Sequence, residues 1–588
     1  MILSALTDYY ERMVADPKAS MPRPGFSEEK ISFAVMVSAE GHFKSIRDLR
    51  ETQGKKVVPV KKIVPAAVKR SGTSIVPNFL WDNSGYVLGV DGKGKPQRSR
   101  MTFDAFKEKH QDIAGHTPCA RVKAVAAFLE AWEPEQAEAL ELKEEFLDQN
   151  LIFWLEGDDR PVHEYPDVLE LWQTLQDEKE DGSYEAPCLV TGEVGPIARL
   201  HPPIKGVSGG QPAGCAIVSF NLDAFASYGK EQSFNAPVGE TVAFAYTTAL
   251  NYLLRRENGR TLSIGDTSTV FWAEKKAPEE DLLASFFDVT NEPDPKDSPK
   301  ESGEDLQSSA KVRSILRALR DGVALHDALG ELDQDVKFFI LGLAPNQSRL
   351  SVRFWCPSTF GTLVEKAGLH YGALSMERQY PNQPEFPSLW QILLESAVQQ
   401  KRENIPPLLS GALSRSVLTG CRYPESLYTA ILGRIRADKE INYVRAAVIK
   451  ACLTRNHRQT SGEITMSLDP DRKDAPYLLG RLFSLLEKAQ KEALGNVGTS
   501  IRNRYFSSAS ATPSIVFPQL LKLVQHHIAK MDSKSGEKRK GYWLDLKIQS
   551  IISHIDMFPT RLSLQEQGIF TIGYYHQSNA NYRKNEKE

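Results

Sequence analysis

Between His201 and Arg256 the chain reads HPPIKGVSGGQPAGCAIVSFNLDAFASYGKEQSFNAPVGETVAFAYTTALNYLLRR, with one lysine directly in front of a cluster of glycines. Gly206, Gly209, Gly210 and Gly214 open backbone conformations closed to residues with a β-carbon, and they expose peptide N–H groups beside the Lys205 cation. That chemistry suits a phosphate backbone; a plain turn into a short strand, CAIVSF, is the other reading. A nucleotide-driven motor needs Gly-x-x-x-x-Gly-Lys-[Ser/Thr], and here the lysine comes first. A dinucleotide fingerprint fails as well, because the glycine run enters a strand instead of leaving one.

Asp82, Asp91, His110, Asp112 and His116 are the residues closest to a metal-nuclease set, but their spacing fits no ligand pattern and reads as structural. A metal-dependent nuclease using Asp82, Asp91 and His116 remains the alternative function. His526-His527 lies on an amphipathic helix with no cysteine or carboxylate ligand nearby. The six cysteines lie far apart without a Cys-x-x-Cys pair, so they read as reduced packing residues. No metal, cofactor or catalytic residue is expected, which favours a binding protein.

The elements that position these groups follow from charge and periodicity. The 588 residues carry a net charge of −3, so any nucleic-acid contact must come from local patches. From Lys44 to Lys123 bases outnumber acids by roughly two to one, and Lys55, Lys56, Lys61, Lys62, Lys69 and Arg70 interleave with Val-Val-Pro-Val and Ile-Val-Pro, as in a half-buried strand with one cationic face. AFLEAWEPEQAEALELKEEFLDQN then reads as an acidic amphipathic helix broken near Pro134. After the glycine loop, a helix is expected from Pro237 to the paired arginines, GDTSTVFWA as a strand, and VKFFILGLAPNQSRLSVRFW as two strands around Pro345-Asn346. Thr290 to Ser309 reads as an acidic Pro/Ser linker.

Beyond Pro387 only helical periodicity remains. From Met466, four helices are expected, with apolar stripes at Leu478, Leu482, Leu485 and Ala489, at Phe517, Leu520, Val524 and Ile528, and at Leu544, Ile548, Ile551 and Ile555. The fourth starts from a Ser563/Glu566 capping box. This segment has an excess of about six positive charges, with Lys534, Lys538, Arg539 and Lys540 in one loop and Arg502 and Arg504 around Tyr505-Phe506. The resulting fold class is α+β: a mixed α/β N-terminal region, 1–289, a linker, 290–309, a second α+β part, 310–386, then an all-α region made of a helical connector, 387–465, and a basic four-helix bundle, 466–588. MILSALTDYYERMVADP carries acids where a signal peptide needs a basic start, and no stretch is apolar enough to span a bilayer, so a cytoplasmic, membrane-free protein is expected.

Several long blocks in order, MILSALTDYYERM, KRSGTSIVPNFLWDNSGYVLGVDGKGKP, IKGVSGGQPAGCAIVSFNLDAFASYGKEQSFNAPVGETVAFAYTTALNYLL and FFILGLAPNQSRLSVRFW, resemble the large subunit of the type I-C (Dvulg subtype) CRISPR surveillance complex, Cascade. The resemblance implies a non-enzymatic subunit near the 5′ handle of a guide RNA (crRNA). Such a subunit inspects duplex DNA for a short flanking motif, the PAM, and lets the strands open into an R-loop. It works with backbone subunits, a small subunit and a recruited helicase-nuclease. Under this reading Lys69, Arg70, Asn78, Asn83, Lys205, Gly206, Ser208, Gly209, Gly210 and Gln211 contact DNA near the PAM, Gln211 being long enough to reach a base edge. Arg502, Arg504, Lys538, Arg539 and Lys540 hold the displaced strand. Asn78 as an ordinary turn residue stays open, and Phe79, Leu80 and Trp81 read as core. Met466, preceded by Gly462-Glu463, is a candidate internal start for a separately made small subunit.

Overall fold

The computed structural model of the chain describes residues 1–16, 19, 21–53, 56–68, 74–140, 143–177, 184–264, 267–288, 303–406, 408–495, 499–534 and 540–582. It is mixed α and β up to Thr359 and, among the described residues, helical beyond it. Contacts divide the chain into two compact units, Met1–Pro202 with Val218–Tyr252, and Pro203–Ile217 with Leu253–Glu588. The glycine loop therefore leaves its sequence neighbours and belongs to the second unit.

The first unit is built on a four-stranded sheet in the order Phe43–Asp48, Phe33–Val37, Asn150–Leu155, Trp81–Asn83. Its first strands are β1 (Phe26–Ile31), β2 (Phe33–Val37), β3 (Phe43–Asp48), β4 (Glu51–Gln53), β5 (Lys56–Val58) and β6 (Val60–Pro65), followed by β7 (Trp81–Asn83) and β8 (Asn150–Leu155). β2 and β8 run parallel, and the two flanking pairs are antiparallel. The alternation of side chains along β2 sorts its residues between two cores. Phe33, Val35 and Val37 join Phe106, Val125 and Phe128 from helices Pro96–His116 and Ala120–Ala131. Ala34 joins Ile31, Val64, Trp81 and Ile152, so the antiparallel β1–β6 pair lies on the opposite face. The expected basic strand is thus real, with Val64 buried and Lys61 exposed. The break expected near Pro134 is present, but the acidic helix is not: helix Ala120–Ala131 carries Glu130 as its one acid, and the acidic stretch after it forms a 3₁₀ turn, Pro134–Ala139, and a single helical turn, Lys143–Phe146. A two-stranded ribbon of β9 (Glu185–Pro187) and β10 (Val194–Pro196) follows.

The second unit contains an antiparallel sheet of β11 (Thr261–Ile264), β12 (Thr267–Ala273), β13 (Lys337–Asn346) and β14 (Arg349–Thr359). One face supplies Phe271, Phe338, Ile340 and Phe354 to an apolar core shared with the helices that follow. The β13–β14 turn falls at Gln347-Ser348, two residues later than Pro345-Asn346, because Pro345 and Asn346 still pair with Leu350 and Arg349. Helix Glu240–Leu253, which up to Tyr252 belongs to the first unit, starts three residues after Pro237. Helix Gly303–Arg320 takes up the last residues of the proposed linker, of which 290–302 lie outside the described residues.

Beyond Met466 the described residues contain five helices, Ala475–Leu494, Ile501–Ala511, Pro513–Lys534, Lys540–Ile552 and Leu564–Tyr582, one more than expected. The extra one, IRNRYFSSASA, has only a narrow apolar face, and the Ser500 hydroxyl caps it by accepting from the Asn503 amide at 3.2 Å. The Ser563/Glu566 capping box forms, each side chain accepting from the other residue's amide. The first and last of the five helices meet backbone to backbone: a β-carbon on Gly480 would sit 2.0 Å from the Phe570 carbonyl oxygen, and one on Gly573 would sit 2.2 Å from that of Tyr477. The last helix also packs outward, where Tyr428 Oη donates to the Leu564 carbonyl at 2.9 Å and Tyr575 Oη to that of Glu377 at 2.9 Å. Among the described residues no helix is long and apolar enough to cross a membrane.

Candidate nucleic-acid interface

The loop from Pro203 to Ile217 is pinned at both ends. Ile204 and Cys215 exchange two backbone hydrogen bonds of 2.8 Å, closing the loop on itself. Ala216 then donates to the Ser348 carbonyl at 3.0 Å and accepts from the Leu350 amide at 2.9 Å, which fastens the loop to the start of β14. Cys215–Phe220 is accordingly no strand: these isolated bridges at Cys215 and Ala216 replace the one expected. Gly206, Gly209 and Gly214 have φ of +90°, +75° and +99°. A β-carbon on Gly214 would also meet Pro203 Cβ at 2.7 Å, so that glycine is required by conformation and by space.

Between the pinned ends Val207 is buried as a plug, while Lys205 and Gln211 are exposed. The loop offers fewer free amides than its sequence promises. The Ser208 N–H donates to Ser268 Oγ at 2.9 Å, and the Gly210 N–H to the Val207 carbonyl at 3.0 Å. A second cation compensates: Arg402 reaches Ser208 Oγ at 3.4 Å from nearly two hundred residues away, with exposed Lys401 beside it. Nothing in the local sequence at Ser208 announces that arginine, since only the fold brings the two together.

In the first unit Lys69 and Arg70 lie outside the described residues. Asn78 and Asn83 face inward. Asn78 is 3% exposed, and its side-chain oxygen accepts from the Val68 amide at 2.9 Å, tethering the segment that leads to Lys69. Asn83 caps a short helix through the Gly85 amide at 3.0 Å. Phe79, Leu80 and Trp81 are core, and Phe79 stacks on both His110 and Trp172. The β1–β6 pair sets Lys30 opposite Lys61. Other bases of this zone are matched by acids: Lys44 with Glu156 at 3.1 Å, Lys62 with Glu164 at 3.4 Å, and Arg50 with Asp48 and Glu145.

Asp82, Asp91 and His116 do not form a ligand set. Asp82 is buried and accepts from the Asn78 and Asn83 amides at 3.0 and 2.8 Å, organising a turn. Asp91 accepts from Ser99 and from the Lys93 and Lys95 amides; burial works against its charge, but these bonds hold the carboxyl below its usual range. His116 is exposed beside Asp112. His110, buried, accepts from the Leu80 amide at 2.9 Å and pairs with the Phe106 carbonyl at 2.7 Å, and burial pushes its pKa down to about 3. Among the described residues no group of three or more His, Cys, Asp or Glu can hold a metal ion.

In the last helices Arg502 turns inward, 3.7 Å from buried Glu487, which also accepts from Tyr574 and pairs with Lys491 at 3.4 Å. Arg504 is exposed over the Tyr505 ring. Lys538 and Arg539 lie outside the described residues, and Lys540 opens helix Lys540–Ile552. That helix exposes Tyr542 and Trp543, 56% and 60%, with Leu546 and Lys547 on the same outward side. The signal for this pair was present in GYWLDLKIQSII: the stripe Leu544, Ile548, Ile551 leaves Tyr542 and Trp543 off the buried face.

One family profile, CRISPR-associated protein (Cas_Csd1), matches residues 6–582, nearly the whole chain, and the chain belongs to that family. No curated protein matches it.

Proposed function

We propose that this protein is the non-catalytic large subunit of a type I-C CRISPR RNA-guided surveillance complex, reading the PAM in duplex DNA through the loop from Lys205 to Gln211. The observation that carries the reading is the geometry of that loop: both ends are fixed by backbone hydrogen bonds, and between them it presents an exposed lysine and an exposed glutamine with Arg402 alongside. Lys205, Arg402 and the amides of Gly206 and Gly209 position the phosphate backbone, and Gln211 tests a base edge or wedges a step. Lys69 and Arg70 add flanking contacts. Opening the duplex lets the guide RNA pair with the target strand, and a separate helicase-nuclease, recruited in the cytoplasm, cuts it. Arg504, Lys538, Arg539 and Lys540, with Tyr542 and Trp543 as stacking surfaces, hold the displaced strand. Backbone subunits and a small subunit started at Met466 complete the assembly.

The test is magnesium-containing incubation of the assembled complex with target DNA, with and without the helicase-nuclease. The proposal expects R-loop formation in both and cleavage in one. Cleavage without the nuclease that is lost in Asp82→Ala and in Asp91→Ala overturns the non-catalytic role, provided those variants still fold.

A further inference from the structure

Among the large apolar and aromatic side chains, Tyr228 is the most exposed of the described residues, at 99%. It stands at the tip of a two-residue turn, Ser227 to Lys230, in which the Lys230 amide donates to the Ser227 carbonyl at 3.0 Å. Tyr228 and Gly229 have φ of +52° and +70°, the two positive values of a type I′ turn. Such turns favour Asn-Gly, because asparagine tolerates the left-handed region; a bulky residue there is an outlier. The protein keeps a tyrosine instead, and its ring is given over to solvent.

The turn is also braced from behind. Asn235 accepts from the Ser227 amide at 2.8 Å and donates to the Lys230 and Gln232 carbonyls at 2.8 and 2.9 Å, so one side chain holds both arms. Arg199 donates to Gln232 Oε1 at 2.9 Å, and Phe234 packs on Tyr184 with ring centroids 4.7 Å apart. A flat ring in an unfavourable conformation, fully solvated and rigidly held, is an outlier that points to function.

We infer that the turn Ser227 to Lys230 presents Tyr228 as a stacking tooth for an unpaired nucleobase. This rests on the reading that the chain contacts nucleic acid. The chemistry selects a base over a phosphate track, because Asp223 and Glu231 outweigh Lys230 in this segment, and counterion release contributes little there. Stacking needs only a π-face and a rigid aromatic partner, and it takes any base. The unpaired base comes from the guide RNA or from opened DNA.

The test uses the full chain and two single strands of one sequence, RNA and DNA, each carrying 2-aminopurine. Tyr228→Asn removes the ring and installs the residue the turn prefers, so the thermal midpoint stays at or above that of the parent. The expected result is a loss of affinity of about 5- to 150-fold, the size of one base–aromatic stack, equal at low and high salt, with loss of 2-aminopurine quenching. Tyr228→Phe keeps both. Loss confined to the RNA or to the DNA supports the tooth and identifies the source of its base. A folded Tyr228→Asn chain with the parent's affinity for both strands overturns it, as does that result together with loss of a bound protein, which assigns the ring to a protein contact. Lys205→Ala on duplex DNA, measured in parallel, is salt-dependent, so failure of the loop reading and failure of the tooth are told apart.

Discussion

Asn78 and Gly214 show how single residues serve the interface without touching a ligand. Asn78→Ala leaves the half-buried Val68 amide without its acceptor, at a cost of about 1 kcal/mol, and frees the segment leading to Lys69 and Arg70. Urea unfolding should show the loss, and proteolysis between residues 66 and 74 should speed up. Gly214→Ala meets both a φ of +99° and Pro203 Cβ, so it should detach the loop and expose residues 205–213 to protease while leaving the helices beyond Phe360 intact. Polar residues in a basic block, such as Asn78 and Asn83, look alike in sequence whether they reach outward or inward. Their inward turn is decided by Phe79 and Trp81, which anchor the segment in the core. Arg502 was misleading for a related reason: its partner Glu487 lies on a different helix.

Helices and strands with strong periodicity were legible from the sequence. The stripes Leu478, Leu482, Leu485 and Phe517, Leu520, Val524 are buried as their spacing requires, and β12 spans most of GDTSTVFWA. Weakly patterned segments were not, because tertiary contacts rather than local pattern set them: Cys215–Phe220 is held by β14, and Ile501–Ala511 by packing on its neighbours. The close approach of helices Ala475–Leu494 and Leu564–Tyr582 is not legible in the sequence, because only the fold sets Gly480 against the Phe570 backbone and Gly573 against that of Tyr477. Gly480→Ala would force these backbones apart and should lower the unfolding midpoint far more than Gly433→Ala, where a β-carbon meets nothing. On the outward side of helix Lys540–Ile552, Tyr542→Ala with Trp543→Ala should weaken single-strand binding by about 1–3 kcal/mol per lost stack, with stability nearly unchanged.

At the scale of the molecule, five buried imidazoles among the described residues couple stability to pH. Burial pushes His110 and His370 down to about 3, and His163, His201 and His576 down to about 4. These folded-state values lie below the unfolded value of about 6.5, so the unfolded chain binds protons first as pH falls. Stability is therefore full above about pH 6.5 and declines below it until the folded rings protonate near 3 to 4, each ring contributing at most about 1.4 kcal/mol per pH unit. Unfolding midpoints at pH 7.5 and 5.0 check the sign. A product started at Met466 would lack Tyr428 and Ile449, which pack against Gly568, and would expose that side of its last helix. Recoding the Gly462-Glu463 codons synonymously should remove such a product, about 14 kDa, while keeping the long chain. Whether the loop at Lys205 reads the PAM is tested by the affinity of the assembled complex for duplexes that differ only in the PAM, measured across salt. Lys205→Ala and Arg402→Ala should weaken binding to every duplex and reduce the salt slope by about 0.9 each, whereas Gln211→Ala should chiefly flatten discrimination between PAM sequences. Unchanged slope and unchanged discrimination in all three folded variants would contradict it.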